Sequence, residues 1–533
     1  MPNFFLNPTI EEARYEPQVI PEFQGNPYIE ALPKILRRDE AKSMMGYYPD
    51  WDPSVRNHPE EIREMMAGSI SSIRHPVGIH ADLASRFSRL LRWGYVSRNP
   101  VARGFQRDLE LREASLDVLG SQKDHSVGKK AGSNAPKTDA KGLTFLGITG
   151  IGKTAAMEMV LNLYPQVIFH KEYQEKPFMQ TQLVWLTLQC PPGGSILTLA
   201  SNFFEAVDEL LGPIIPDLNF AKTYFGSRPA IHRLIPNMAR VAAQIGLGAL
   251  VIDEVQDLNP RGAEAILSFL VHLTNTIGIP VILIGGFDAF PVLMRQFRQA
   301  RRGSTEGDLI VGPSEPGREW YKLCEAIWAF QFTKEETPLT QELADVLFQG
   351  SQGITQYLIS LYQAAQVRAI TTGIERVTPA IIRSVADDSF VQATPVLDAI
   401  NRGNKESLQR LGDIVPPGEM PWLPFVPGDH RAVAPSARFK VARGNGDVAP
   451  KSLSTDQEDR SLTEVDPTAA EEATEADTPP NVPALGISVR SEGTLPEIVE
   501  LASEEEESAH SAVTDAGLSG THLWNEVTEG TVD

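Results

Sequence analysis

The clearest chemistry in the chain lies in one run, Gly147-Ile-Thr-Gly-Ile-Gly-Lys153-Thr154, which fits G-x-x-x-x-G-K-[ST] in full. A polyphosphate needs many backbone N–H donors converging on it, so the loop around it must wrap tightly. Glycine at 147, 150 and 152 permits the unusual dihedrals and the close approach. The cradle would run through Thr149, Gly150, Ile151 and Gly152. A helix opens directly after it, and its N-terminus adds partial positive charge. Lys153 would place a point charge on the β- and γ-phosphates, and Thr154 would offer its hydroxyl to Mg²⁺.

A second signal lies about a hundred residues on. The apolar run Ala249-Leu-Val-Ile252 ends in Asp253–Glu254. Ligands of open α/β sheets bind at that end of a strand. Asp253 is expected to hold Mg²⁺ through water, and Glu254 to polarise an attacking water, with Gln256 beside it. Together these residues imply Mg²⁺-dependent ATP hydrolysis. The strand over Val281–Ile284 leads into Gly285-Gly286-Phe-Asp288. Many such ATPases place a polar γ-phosphate sensor there. Gly286 has no side chain to do this, and Asp288 reads either as a substitute or as a solvated loop residue. Arg298, Arg301 and Arg302 end the following helix. They suit its dipole, or one of Arg301 and Arg302 reaches a neighbouring subunit's nucleotide as an arginine finger.

The elements that must position these groups follow from the apolar pattern. Strands are expected at Leu143–Gly147, Gln182–Gln189, Gly248–Ile252, Pro280–Ile284 and Ala326–Phe332. Helices are expected at Lys153–Leu163, Ser195–Leu211, Met238–Ile245, Glu264–Ile277 and Phe290–Arg301. Strands alternating with helices mean an α/β fold, a parallel five-stranded sheet with helices on both faces. The chain reads as a mostly helical N-terminal extension (1–120), a polar linker (121–140), an α/β nucleotide-binding domain (141–335) and a helical lid (336–412). In the lid, helices are expected at Thr340–Phe348, Ile354–Thr371 and Pro379–Asp388. A Pro-rich, then acidic tail (413–533) reads as largely disordered.

Composition bounds the partners. The 533 residues carry a formal charge of −21, but residues 451–533 alone hold 20 acidic and 3 basic residues. The other 450 therefore sum to only −4, which leaves room for a basic surface on the body. The two cysteines, Cys190 and Cys324, suit a reducing cytosol, and the first residues lack the pattern of a signal peptide. No apolar run approaches the ~18 residues of a membrane helix. A cytoplasmic protein without a membrane partner is expected.

The combined layout resembles the AAA+ ATPases. Further runs resemble the TnsC/TniB family of ATP-dependent regulators of Tn-seven-like transposons: NPYIEALP (26–33), GYVSRNP (94–100), YPQVIFH (164–170), LGALVIDEVQDL (247–258), IGIPVILIG (277–285) and ARRG (300–303). The resemblance spans about residues 20–430, including the N-terminal region that generic AAA+ proteins lack. It implies an oligomeric ring or filament on double-stranded target DNA. It also implies contact with a target selector (TnsD/TniQ-like) and with transposase subunits (TnsA/TnsB-like), under control of ATP hydrolysis. Gln256 matches the family's DE-x-Q pattern and would link nucleotide state to the DNA side. The chain departs from AAA+ practice at Gly286 and at Gln356, where many lids carry a sensor arginine. Slow hydrolysis is expected from those two positions.

The resemblance places Lys222, Tyr224, Arg228 and Arg233 towards the DNA pore. Arg86, Arg89 and Arg92, at i, i+3 and i+6 of one helix, read as a second basic face or as a solvated one. Near the C-terminus, Leu523 and Trp524 sit in a polar context, as short docking peptides do, and are candidates for transposase binding. On the residues alone, a replication-initiator or helicase-loader type of DNA ATPase and a signalling switch without DNA stay open.

Overall fold

A computed structural model of the chain describes residues 9–105, 107, 142–215, 218–225, 231–258, 266, 270, 273–289, 293, 306–390 and 394–401. The chain divides into two units at Gly446/Asp447, and every described residue lies in the first.

The extension contributes β1 (Ile10–Glu12) and helices α1 (Pro27–Glu30), α2 (Arg38–Met45), α3 (Glu60–Ala67) and α4 (Gly78–Val96). The α/β layer holds β2 (Gly142–Gly147), α5 (Lys153–Leu161), β3 (Val167–Tyr173), β4 (Lys176–Leu183) and β5 (Trp185–Gln189). It continues through α6 (Ile196–Leu211), α7 (Ile231–Gln244), β6 (Ala249–Asp253), β7 (Val281–Gly285) and β8 (Asp308–Val311). Helices α8 (Arg318–Trp328), α9 (Gln341–Ser351), α10 (Thr355–Thr371), α11 (Pro379–Ser389) and α12 (Thr394–Asn401) complete the described chain.

The main sheet runs β5-β6-β7-β2-β8, parallel throughout. Its central strands β6 and β7 are buried at every position, as a strand covered on both faces must be. The order puts β2 beside β7, and β7 beside β6, so the ends of these three strands meet along one edge.

Two strand expectations need correction. Ala326–Phe332 is not a strand: it is the end of α8 and the turn beyond it, and the fifth strand is β8. Trp320, Leu323, Cys324, Ile327 and Trp328 are buried at helical spacing, whereas AIWAF alone reads equally well as a strand. The expected strand Gln182–Gln189 is divided at Val184 between two sheets. Its first part belongs to a small sheet, β1-β3-β4, that had no clear sequence signal. Elsewhere local chemistry marks the ends well. Ser195 caps α6, Thr340 caps α9 and Thr378 caps α11 by accepting a backbone N–H three residues on.

The hydrophobic interior has two parts. One surrounds the main sheet and includes Leu83, Phe87, Leu90, Leu91 and Tyr95 of α4. The other joins α8–α11 to Val55, Ala67, Ile70 and Ile73 of the extension. The extension is thus built into both cores rather than standing apart. At one end α4 lies so close to β7 that a Cβ on Gly94 would come 2.6 Å from Pro280. At the other, Arg63 is fully buried and bonds both carboxylate oxygens of Glu375 at 2.7 Å.

Arg86, Arg89 and Arg92 do not share one exposed face: Arg89 is exposed, Arg86 half-buried and Arg92 buried. Arg86 bonds Asp82 at 2.9 Å and the carbonyl of Glu306, and Arg89 bonds the Glu306 carboxylate at 2.8 Å. Arg92 is 2% exposed and donates to Ser88 and to the carbonyl of Pro33. Only Arg92 is turned inward; Arg89 stays exposed, and each guanidinium meets an acid or a carbonyl.

Candidate functional site

The phosphate loop leaves β2 and enters α5. Gly147 is glycine because a Cβ there would lie 2.7 Å from the Val311 carbonyl of β8. Gly150 (φ +81°) and Gly152 (φ +94°) hold left-handed conformations that other residues adopt only with strain. Ile151 is buried beneath the loop and Thr149 lies exposed on it. Lys153 Nζ bonds the Gly147 carbonyl at 2.9 Å and the Ile148 carbonyl at 3.1 Å. Its ammonium therefore sits inside the curve of the loop, where a phosphate oxygen would compete with those carbonyls.

The Thr154 hydroxyl donates to Asp253 Oδ2 at 2.6 Å, across 99 residues of sequence. Asp253 closes β6 and is buried, and burial pushes its carboxyl pKa above the ordinary aspartate value. The bonds from Thr154 and from the Glu254 N–H act the other way. Two hard oxygens thus converge at the start of α5. Such oxygens, completed by water and phosphate, are what Mg²⁺ takes, so the pair fits that ion.

Glu254 follows in a left-handed conformation, φ +57°. Its carboxylate accepts from Gln256 Nε2, while Gln256 Oε1 accepts the Gly286 N–H at 2.9 Å. Gly286 is buried at the end of β7, and Asp288 is exposed on the turn beyond. This geometry matches the solvated-loop reading of Asp288.

The lid reaches the loop directly. Gln356 donates its backbone N–H to the Gly150 carbonyl at 3.0 Å. A Cβ on Gly150 would stand 3.3 Å from Gln356 Oε1 and from Ile354 Cγ2. Position 356 thus touches the loop as a lid sensor would, but with a neutral amide.

Sequence reasoning missed a cavity of about 370 Å³ between the loop, the extension and the lid. Ile73, Arg74 and His75 form one wall, Gly150–Gly152 another, and Leu323, Ile327 and Ile359 the roof. Its lining is mainly apolar, as ligand cavities are. His75 Nδ1 is held by the Tyr48 hydroxyl at 2.7 Å, and burial lowers its pKa. Apart from Gly150–Gly152, no local motif marks these residues, because distant segments meet only in the fold.

The remaining candidates are scattered. Lys222 is exposed on a π-helical turn, Ala221–Phe225, and Arg233 is exposed on α7. The turn is anchored by Asp208, whose carboxylate accepts from Phe220 and Ala221 at 2.7 and 2.8 Å. The Tyr224 ring stacks on Phe204 and Phe220, so one of its faces is already taken. Arg228, Arg298, Arg301, Arg302, Leu523 and Trp524 lie outside the described residues. Among the described residues no helix is long and apolar enough to cross a membrane.

Residues 137–293 match the AAA domain family AAA_22. No curated protein sequence shows a significant match to the chain. Among solved structures the chain is similar to the Walker-type ATPase PABY2304 of Pyrococcus abyssi, at 14% identity over 58% of this chain and 75% of that one (TM-score 0.32). It is also similar to the Thermotoga maritima RuvB Holliday junction branch migration motor, at 13% identity over 53% and 68% (TM-score 0.28). A third is the Aeropyrum pernix ORC1 protein, solved in complex with DNA, at 16% identity over 56% and 78% (TM-score 0.32). The chain has the AAA+ P-loop ATPase fold, with a five-stranded parallel sheet.

Proposed function

We propose that this protein is an ATP-dependent DNA-binding regulator of transposition. In this reading it assembles on target DNA, links a target-selection protein to the transposase, and is released by ATP hydrolysis. The observation that carries the chemical part is the Thr154–Asp253 contact at 2.6 Å, with Glu254 next in sequence. The loop amides and Lys153 bind the polyphosphate, and the cavity beside them takes the nucleoside. Bound at Thr154 and Asp253, Mg²⁺ would neutralise phosphate charge. Glu254 accepts a proton from the attacking water. Substituting Glu254→Gln is expected to lower kcat about a hundredfold or more while nucleotide binding persists. Equal turnover by that variant would remove Glu254 from the role.

The transposition part is supported by the resemblance of residues 20–430 to the TnsC/TniB family, which includes the extension. One of Arg301 and Arg302 would act across the subunit interface, with Leu523 and Trp524 docking the transposase. The test is electron microscopy of the protein with duplex DNA, in a slowly hydrolysed ATP analogue and in ADP. Rings or filaments only with the analogue, together with stimulation of a transposase, support the reading. Assembly on DNA without such stimulation points to an initiator or loader type of ATPase. Monomers indifferent to DNA point to a signalling switch.

A further inference from the structure

Both ends of the Gln256 side chain are engaged, and by groups of opposite kind. Nε2 donates to the Glu254 carboxylate, which can only accept. Oε1 accepts from the Gly286 N–H, which can only donate. These neighbours decide the orientation of the amide, since the flipped form would face two mismatches. The end of β7 leaves room for it. A Cβ on Gly285 would stand 2.8 Å from Gln256 Oε1 and 2.6 Å from Val255. Residue 286 has no side chain, and the Gln256 amide lies against its backbone instead.

Glu254 is a non-glycine residue at φ +57°, a conformation that persists only where surrounding contacts hold it. Gln256, two residues on in the Val255–Asp257 turn, supplies such a contact. Its other anchor is not on its own strand but on β7, which lies between β6 and the phosphate-loop strand β2.

We propose that Gln256 is a positioning residue that ties the Glu254 carboxylate to the end of β7, in place of a polar side chain at position 286. Any shift of β7 against the phosphate loop then moves Gly286 and, through Gln256, the carboxylate. This deepens the ATPase reading and rests on it.

The test is steady-state ATP hydrolysis by the full chain and by Gln256→Ala, Gly286→Pro and the double variant. Gly285 ends a strand, and extended backbone is what the residue before a proline prefers. Gln256→Ala is expected to lower kcat about tenfold, with KM for ATP within about twofold of wild type. A kcat loss at unchanged KM is what a displaced carboxylate gives, whereas a general loosening of the site would raise KM as well. Gly286→Pro removes the N–H that is the other anchor, while adding a ring at a buried position, and should reproduce this if the variant binds nucleotide; the double variant should be no worse than the worse single. Gln256→Glu keeps an acceptor for Gly286 without the donor for Glu254, and should lose at least as much as the alanine variant. Binding of a fluorescent ATP analogue by every variant confirms folding. Wild-type kcat in Gln256→Ala, a loss carried by KM instead of kcat, or additive losses in the double variant, would overturn the proposal. A wild-type protein that binds ATP without hydrolysing it would overturn the ATPase reading as well, an outcome visible before any variant is compared.

Discussion

Single side chains here are decided by whether their polar atoms find partners. His170 is fully buried and lies between the Tyr15 hydroxyl at Nδ1 (2.8 Å) and Gln182 Oε1 at Nε2 (2.9 Å). Gln182 spends its own Nε2 on the Tyr28 carbonyl, so its Oε1 must accept and His170 Nε2 must carry the proton. Burial brings the imidazole pKa down to about 4, so at neutral pH the ring is uncharged and Nδ1 accepts from the Tyr15 hydroxyl. Between about 4 and the ordinary 6.5 the unfolded chain binds a proton there that the folded chain does not. The stability held by neutral His170 is thus present above that window and falls as pH drops through it. Thermal melts of wild type and His170→Gln should converge, or cross, as pH falls from about 6.5 to about 4. Parallel curves would mean that His170 titrates freely. At the phosphate loop, Gly150→Ala adds a Cβ at φ +81° against Ile354 and Gln356. The left-handed cost alone is about 1–2 kcal/mol, so nucleotide affinity should fall about tenfold in a binding titration. Unchanged affinity would show that the loop adapts.

Among the elements, the contact between α3 and the lid is one that local patterning did not reveal. Arg63 leaves its helix to meet the Phe332 carbonyl, the His58 carbonyl and both Glu375 oxygens. The Arg63 guanidinium holds the Glu375 carboxyl below its ordinary pKa. Removing one partner strands the other, which typically costs about 3–5 kcal/mol. Arg63→Ala should therefore lower the denaturation midpoint sharply. The Arg63→Ala, Glu375→Ala double variant should recover part of the loss, which a double-mutant cycle would read. Full additivity would mean that the pair is not coupled. Arg86 and Arg89 do similar structural work for α4 through Asp82 and Glu306.

For the whole molecule the question is what an assembly would present to DNA. Lys222 and Arg233 are exposed, whereas Arg92 is buried. If the turn and α7 face the duplex, Lys222→Glu and Arg233→Glu should each weaken ATP-dependent DNA binding. Each should also reduce the slope of log affinity against log salt by about one. Arg92→Ala should lower the melting temperature and leave that slope unchanged. A salt slope unmoved by both glutamate variants would place the DNA elsewhere. Gln356 in place of a sensor arginine leaves the lid a neutral contact with the loop. Turnover is accordingly expected to be slow, and fast turnover in the presence of DNA would contradict this.

Much of the nucleotide site was legible because its determinants are local. The Gly147–Thr154 run needs its residues at adjacent positions for steric reasons, and Asp253–Glu254 follows an unbroken apolar strand. Helix caps such as Ser195 and Thr378 are equally local. Other features were not legible, because contacts between distant residues decide them. The run Ala326–Phe332 has no strand partner among the described residues, and its first residues close α8 because Trp320, Leu323 and Ile327 share one buried stripe. Arg92 looks like a surface arginine until Pro33 and Ser88 enclose it. The cavity beside the loop exists only where residues 73–75, 150–152 and 323–359 meet. Sequence by itself determined the phosphate-binding chemistry and the alternating α/β pattern, through steric demands that act between neighbours along the chain. Only the tertiary structure decided which charged groups are buried, what lines the cavity and which core the extension joins. Burial and partnership depend on segments that the chain brings together from far apart.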